Sequence, residues 1–92
     1  FIFSDDMKWC KDNLTFDYPH TFVDHDHKGR KFGQYLFLMS KCKHFIIPNS
    51  SFGWWAAWLC ENKNKIVITP SKWFQDPNMI TQGLKPTDWF SV

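Results

Sequence analysis

The chain has 92 residues, 43% of them hydrophobic and 20% aromatic, with 6 Trp and 10 Phe. That composition excludes a disordered or low-complexity segment, and one small domain of this length buries only roughly 60–65% of its unfolded surface. A formal net charge of +2, from 11 Lys and Arg against 9 Asp and Glu, without a basic run threaded by aromatics, argues against nucleic acid as a partner.

In chain order, "FIF" at 1–3 reads as a short strand that stops at Ser4, Asp5 and Asp6, residues that cap a helix and suit its positive end. Met7, Cys10 and Leu14 follow at helical spacing, opposite Lys8, Lys11 and Asp12, so a helix is expected over about residues 5–13. A brief strand is expected near Thr21–Val23, then a polar loop with turns at Gly29 and Gly33. Tyr35, Leu36, Met39 and Cys42 predict a second helix from Phe32 to Lys43, with Lys41, Lys43 and His44 at its negative end. "FIIP" reads as a buried strand closed by Pro48, and Asn49 or Ser50 as the N-cap of a third helix. In that helix Phe52, Trp55, Ala56, Leu59 and Cys60 form one apolar stripe and Trp54 and Trp58 another, which predicts burial nearly all round. "KIVITP" at 65–70 reads as a further strand, and a tail with Pro70, Pro77 and Pro86 as loop with at most a short helix.

Alternating strands and helices of this kind predict right-handed parallel crossovers, hence one α/β domain with a Rossmann-like parallel sheet and helices on both faces. Ligands of such sheets bind at the carboxyl ends of the strands. Two polar strand-to-helix junctions fall there by expectation: Ser4, Asp5 and Asp6 after the first strand, and Asn49, Ser50 and Ser51 after the third. The second joins free backbone N–H groups to two hydroxyls and so suits a phosphate or diphosphate. The same residues also suit plain capping of a buried helix, and Asp5 and Asp6 plain first-turn capping.

"VDHDH" at 23–27 gathers two aspartates and two histidines, but alternation splits them between two faces and the spacing matches no familiar zinc or calcium pattern, so a solvated loop is expected and no metal. Neither a G-x-S-x-G elbow, a P-loop nor a G-x-G-x-x-G fingerprint occurs. Cys10, Cys42 and Cys60 are odd in number, far apart and each on an apolar stripe, which suits small buried hydrophobes in a reducing cytoplasm. No stretch reaches membrane-spanning length, "FIIPNSSFGWWAAWL" coming nearest before its polar centre and Pro48 interrupt it. The opening on Phe1 in strand-like sequence leads us to expect a piece of a longer protein.

"FSDDMKWCKDNL", "LMSKCKHFIIPNSSFGWWAAWL" and "KIVITPSKWF", in this order and spacing, resemble the α-1,2-fucosyltransferases of bacterial surface-polysaccharide pathways over nearly the whole chain. The resemblance implies the carboxyl-terminal half of a GT-B glycosyltransferase that moves fucose, with inversion, from GDP-fucose to a galactose hydroxyl of a glycan acceptor, with no cofactor or obligatory metal. It also implies a cytoplasmic enzyme whose complete form associates peripherally with membranes. The family's arginine-rich donor motif is absent from these residues, so the chain alone is expected to be inactive and to self-associate through surface that a partner half would cover. By resemblance, Ser4, Asp5 and Asp6 line the donor cleft, and Asn49, Ser50, Ser51, Phe52 and Gly53 lie beside the GDP diphosphate. Relatives often carry an acidic residue where Tyr35 stands, implied to meet the guanine edge, and a phenol cannot accept two guanine N–H bonds as a carboxylate does. Relatives also often have Ser where Gly53 stands, which here removes a hydroxyl and leaves the backbone N–H. No residue stands out as a general base.

A reading from another class is a non-catalytic carbohydrate- or protein-binding module, with Trp54, Trp58, Trp73 and Trp89 as an exposed flat stacking surface. The nucleotide reading instead expects Trp55 buried, and Ser50 and Ser51 facing a cleft.

Overall fold

The computed structural model describes residues 1–24 and 32–92, and the chain divides into two compact units, Phe1–Lys31 and Phe32–Val92. In the first unit the two predicted strands shrink to one parallel bridge between Ile2 and Phe22, in which the Ile2 N–H donates to Thr21 O at 2.8 Å and the Val23 N–H to Ile2 O at 2.9 Å. Helix α1 spans Met7–Asn13, because the Asp6 carboxylate accepts from the Trp9 N–H at 2.9 Å and starts the helix two residues later than periodicity alone suggested. Met7 and Cys10 form its buried side, and Lys8–Asp12 and Lys11–Asp24 ion pairs lie on its exposed side. Of the "VDHDH" segment, Asp24 is the Lys11 partner, and His25, Asp26 and His27 lie outside the described residues.

The second unit begins with α2, Phe32–Ser40. It ends three residues before the predicted Lys43, and Lys41, Lys43 and His44 therefore lie beyond its last turn. The buried Ser40 hydroxyl donates back to Phe37 O at 2.7 Å, and the next two N–H groups bond three residues back, Lys41 to Leu38 O and Cys42 to Met39 O. Local side-chain and tight-turn bonds thus take over from the helical ladder.

Strands β1 (Phe45–Ile46), β2 (Val67–Thr69) and β3 (Phe90–Ser91) form a parallel sheet in the order β1-β2-β3. Phe45 faces Val67, Ile46 faces Ile68, and Ile68 faces Phe90. Strand β3 corrects the reading of the tail as loop: the Val92 N–H donates to Thr69 O at 3.0 Å and the Ser71 N–H to Val92 O at 2.7 Å. A two-residue strand among prolines has no periodicity of its own, and its conformation comes from the β2 edge it joins.

Helix α3 (Ser51–Leu59) connects β1 to β2. Its buried row is Gly53, Ala56, Ala57 and the following Cys60, all small. A Cβ on Gly53 would lie 3.2 Å from both Cβ and Cγ2 of Ile47, so the helix sits too close to β1 for large side chains between them. The tryptophans are pushed to the flanks, and the expectation of burial nearly all round fails: Trp55 is 50% and Trp58 52% exposed. The core under α3 consists of Phe45, Ile47, Ala56, Ala57, Cys60, Val67, Trp73 and Trp89. Trp54 closes it from one side, donating its Nε1–H to Leu84 O at 2.7 Å and stacking on Trp58 at 5.2 Å. Both connections, α3 and the 70–89 segment, therefore cover one face of the sheet, where the sequence suggested helices on both.

Candidate functional site

The carboxyl end of β1 runs through Pro48 and Asn49 into Ser50, the N-cap of α3. The extended backbone of Ser50 turns the chain, its N–H donating to Pro48 O at 2.8 Å, and Trp54 makes the first helical bond to Ser50 O at 3.0 Å. The N–H groups of Ser51, Phe52 and Gly53 precede that bond, and four such donors at every helix start need acceptors from outside the ladder. The Ser50 side chain makes no cap bond to them. A capping serine ordinarily places its oxygen on the second or third N–H of the helix.

Asn49 is committed elsewhere: its Nδ2 donates to Trp73 O at 3.1 Å, which ties the loop after β1 to the loop after β2. Ser51 is exposed and Ser50 half-buried beside the three N–H groups. Phe52 packs its ring edge-on against Phe32 at 4.8 Å, which fixes the helix start against the first turn of α2. Tyr35, half-buried, stands one turn beyond Phe32 on the same side of α2. Buried Gly53 allows the close approach to Ile47 and thereby holds the donor groups at the strand end. The arrangement brings Asn49, Ser50, Ser51, Phe52 and Gly53 to one edge, with the positive end of a nine-residue helix beneath. It can hold an anion.

Ser4, Asp5 and Asp6 belong to the other unit. The Ser4 hydroxyl accepts from the Asp6 N–H at 3.0 Å and the Asp6 carboxylate caps α1, so two of the three serve their own turn, and Asp5 is exposed. Sequence reasoning missed the loop after β2, where exposed Ser71 and Lys72 precede the Trp73 carbonyl that anchors Asn49. Their position directly after "KIVITP" was the available signal.

Two expectations about tryptophans are corrected. Trp55 is half-exposed where the nucleotide reading placed it inside, because the α3–β1 approach admits only small residues. The stacking platform of the alternative reading does not form either: Trp73 and Trp89 are buried in the core and Trp54 is bonded to Leu84. Burial pushes the Cys42 thiol up from its ordinary value, and the Cys60 thiol adds in the same direction. The Cys60 Sγ–H donates to Cys42 O at 3.2 Å, a packing role rather than that of an activated nucleophile. Among the described residues no helix is long and apolar enough to cross a membrane.

The family described as Glycosyl transferase family 11 matches residues 1–92. The O-antigen biosynthesis glycosyltransferase WbnK of Escherichia coli is 43% identical over 77 residues, which cover 84% of this chain and 25% of that protein. An alpha-1,2-colitosyltransferase of Escherichia coli is 34% identical over 92 residues, all of this chain and 32% of that protein. The chain thus spans about a quarter to a third of the length of the curated relatives it matches. No solved structure matches it.

Proposed function

Because this chain belongs to glycosyl transferase family 11, we propose that it is the donor-binding part of an α-1,2-fucosyltransferase acting in surface-polysaccharide synthesis, with GDP-fucose as donor and a galactose hydroxyl as acceptor. The observation that carries this reading is the start of α3, where three N–H groups stand at the carboxyl end of a parallel strand and the N-cap serine makes no cap bond. As the bond from fucose to GDP breaks, charge grows on the diphosphate. Oriented N–H groups of Ser51, Phe52 and Gly53, with the hydroxyls of Ser50 and Ser51, offset that charge, and the helix dipole adds to them. The Asn49–Trp73 bond keeps these groups in place before the donor arrives, so little reorganisation is needed in the transition state.

One relative is named an alpha-1,2-colitosyltransferase, so the donor sugar is the part of the proposal that a comparison of GDP-sugars has to test. The guanine contact is assigned to the Tyr35 side of α2, with one acceptor in place of two. On this reading no group among the described residues is assigned as general base, and the chain transfers no sugar alone.

GDP added to the isotopically labelled chain tests the reading. The amides of Ser50, Ser51, Phe52 and Gly53 should shift more than any others, and the same sites should respond to inorganic diphosphate but not to guanosine. Shifts centred on Trp55 and Trp58 instead, or none at millimolar GDP, would overturn it.

A further inference from the structure

The connection from β2 to β3 leaves the sheet and returns to it beside the start of α3. Its outgoing end is pinned where Asn49 Nδ2 donates to Trp73 O at 3.1 Å, and its returning end where Trp54 Nε1–H donates to Leu84 O at 2.7 Å. Asn49 directly precedes the N-cap and Trp54 belongs to the first turn of α3, so both pins fall at one helix start. A lysine adjoins each pinned residue, Lys72 before Trp73 and Lys85 after Leu84. Lys72 is exposed. Lys85 is half-buried, and its ammonium donates to Ser91 Oγ at 2.7 Å and to Pro70 O at 3.5 Å, which holds it at the carboxyl ends of β2 and β3. Neither lysine has a carboxylate partner among the described residues, where the ion pairs are Lys8–Asp12 and Lys11–Asp24. Both oxygens on Lys85 are neutral, so its charge is partly desolvated without being balanced. All the contacts of the connection named here lie within Phe32–Val92.

The three N–H groups at the start of α3 suit the outer oxygens of a single phosphate. A diphosphate brings a second phosphate and more charge, and the partial charge of the helix fades within its first turn. We infer that Lys72 and Lys85 bind this second phosphate, so that the site selects a nucleoside diphosphate over the monophosphate. The inference rests on the donor reading given above and adds to it the two side chains that supply full positive charge. An ammonium carries three N–H donors, and Ser91 and Pro70 engage two of those on Lys85. The third is left for a phosphate oxygen. Because Lys85 is already held in place, little side-chain freedom is lost when the ligand arrives. As the bond to the sugar breaks, the charge gathering on the departing diphosphate then meets two cations as well as the N–H groups.

Titrations of the isotopically labelled chain with GDP and with GMP, followed at the amides of Ser50, Ser51, Phe52 and Gly53, test the assignment in the parent, Lys72→Gln and Lys85→Gln. The parent should bind GDP about tenfold or more tighter than GMP, and each variant should lose about threefold or more in GDP affinity while its GMP affinity stays within about twofold. Raising the salt concentration should weaken GDP binding less in the variants than in the parent. Variants that bind GDP as the parent does would overturn the inference and leave the donor reading standing. Equal losses for GDP and GMP would also overturn it, since they would make the lysines braces of the loop rather than ligands of the second phosphate. A parent chain whose α3 amides ignore both nucleotides would overturn the donor reading and the inference together. Lys85→Gln gives up the bonds to Ser91 and Pro70 and can disturb the fold, whereas exposed Lys72 makes no bond within the described residues. Where Lys85→Gln shifts the buried Ala56 and Val67 amides before any nucleotide is added, Lys72→Gln alone decides.

Discussion

Two glycines sit near the starts of two helices in the same unit, and replacing each by alanine should have opposite consequences. At Gly53 a new Cβ would meet Ile47 Cβ and Cγ2 at 3.2 Å and Pro48 Cδ at 3.7 Å. Ordinary contacts between such carbons lie near 3.5–4.0 Å, so a few tenths of an ångström must be yielded. One of the two nearest atoms is the Cβ of Ile47, the residue directly after β1, which is 3% exposed, fixed to the backbone and enclosed by core. It cannot swing away, and α3 must lift. Overpacking of this kind costs about 1–3 kcal/mol, against which alanine returns about 0.5–1 kcal/mol of helix propensity. The net is a loss of about 1 kcal/mol, or roughly 4–8 °C in Tm for a domain of this size. At Gly33, in the first turn of α2, a Cβ meets nothing within 4 Å. There the propensity gain stands alone, and Gly33→Ala should raise Tm by a few degrees. Thermal unfolding followed by circular dichroism at several protein concentrations measures both. Gly53→Ala melting at or above the parent chain would refute the close approach of α3 to β1, and with it the reason given for the exposed tryptophans.

Ser51→Ala in the complete enzyme should slow transfer about ten- to a hundredfold, the equivalent of one charge-assisted hydrogen bond of about 1.5–3 kcal/mol, with chelator present and with Tm unchanged; a loss of stability of about 1 kcal/mol with an unaltered rate would return the site to plain capping. Because burial raises the Cys42 thiol in the folded chain, the unfolded chain gives up that proton first as pH rises. The stabilisation is therefore complete below the ordinary thiol range and is lost above it. Between pH 8 and pH 10 the Tm of the parent chain should drop more steeply than that of Cys42→Ala, and parallel curves would contradict the assignment.

The helices were legible because each carries its own signal. Met7 and Cys10 form the buried side of α1, and the polar head at Asn49–Ser51 marked the start of α3. What escaped reading depended on partners distant in sequence. Strand β3 exists because Thr69 and Ser71 offer it a ladder, and nothing in "WFSV" says so. The same holds for α3, where the count of large apolar groups suggested burial nearly all round, yet the buried row is the one with the smallest residues. Distance of approach, not hydrophobicity, decided the orientation. In the candidate site the hydroxyl and amide types were readable, while the division of labour was not: Asn49 braces, Ser50 leaves the first N–H groups uncapped, and Asp6 spends its carboxylate on α1.

The register of the sheet also governs how this unit must fold. Phe45 pairs with Val67 and Ile68 with Phe90, so each ladder closes a loop of about 20 residues before its first bond, at an entropic cost of about 2.7 kcal/mol plus a constant. Strands of two or three residues cannot repay that from their own ladders. No strand pair can therefore persist as an early intermediate, and the ladders have to form together with the docking of α3 and the seating of Trp89 beside Trp54 at 5.7 Å. Folding of residues 32–92 is in this sense a single concerted event, slow to start and without a sheet that outlives its helix.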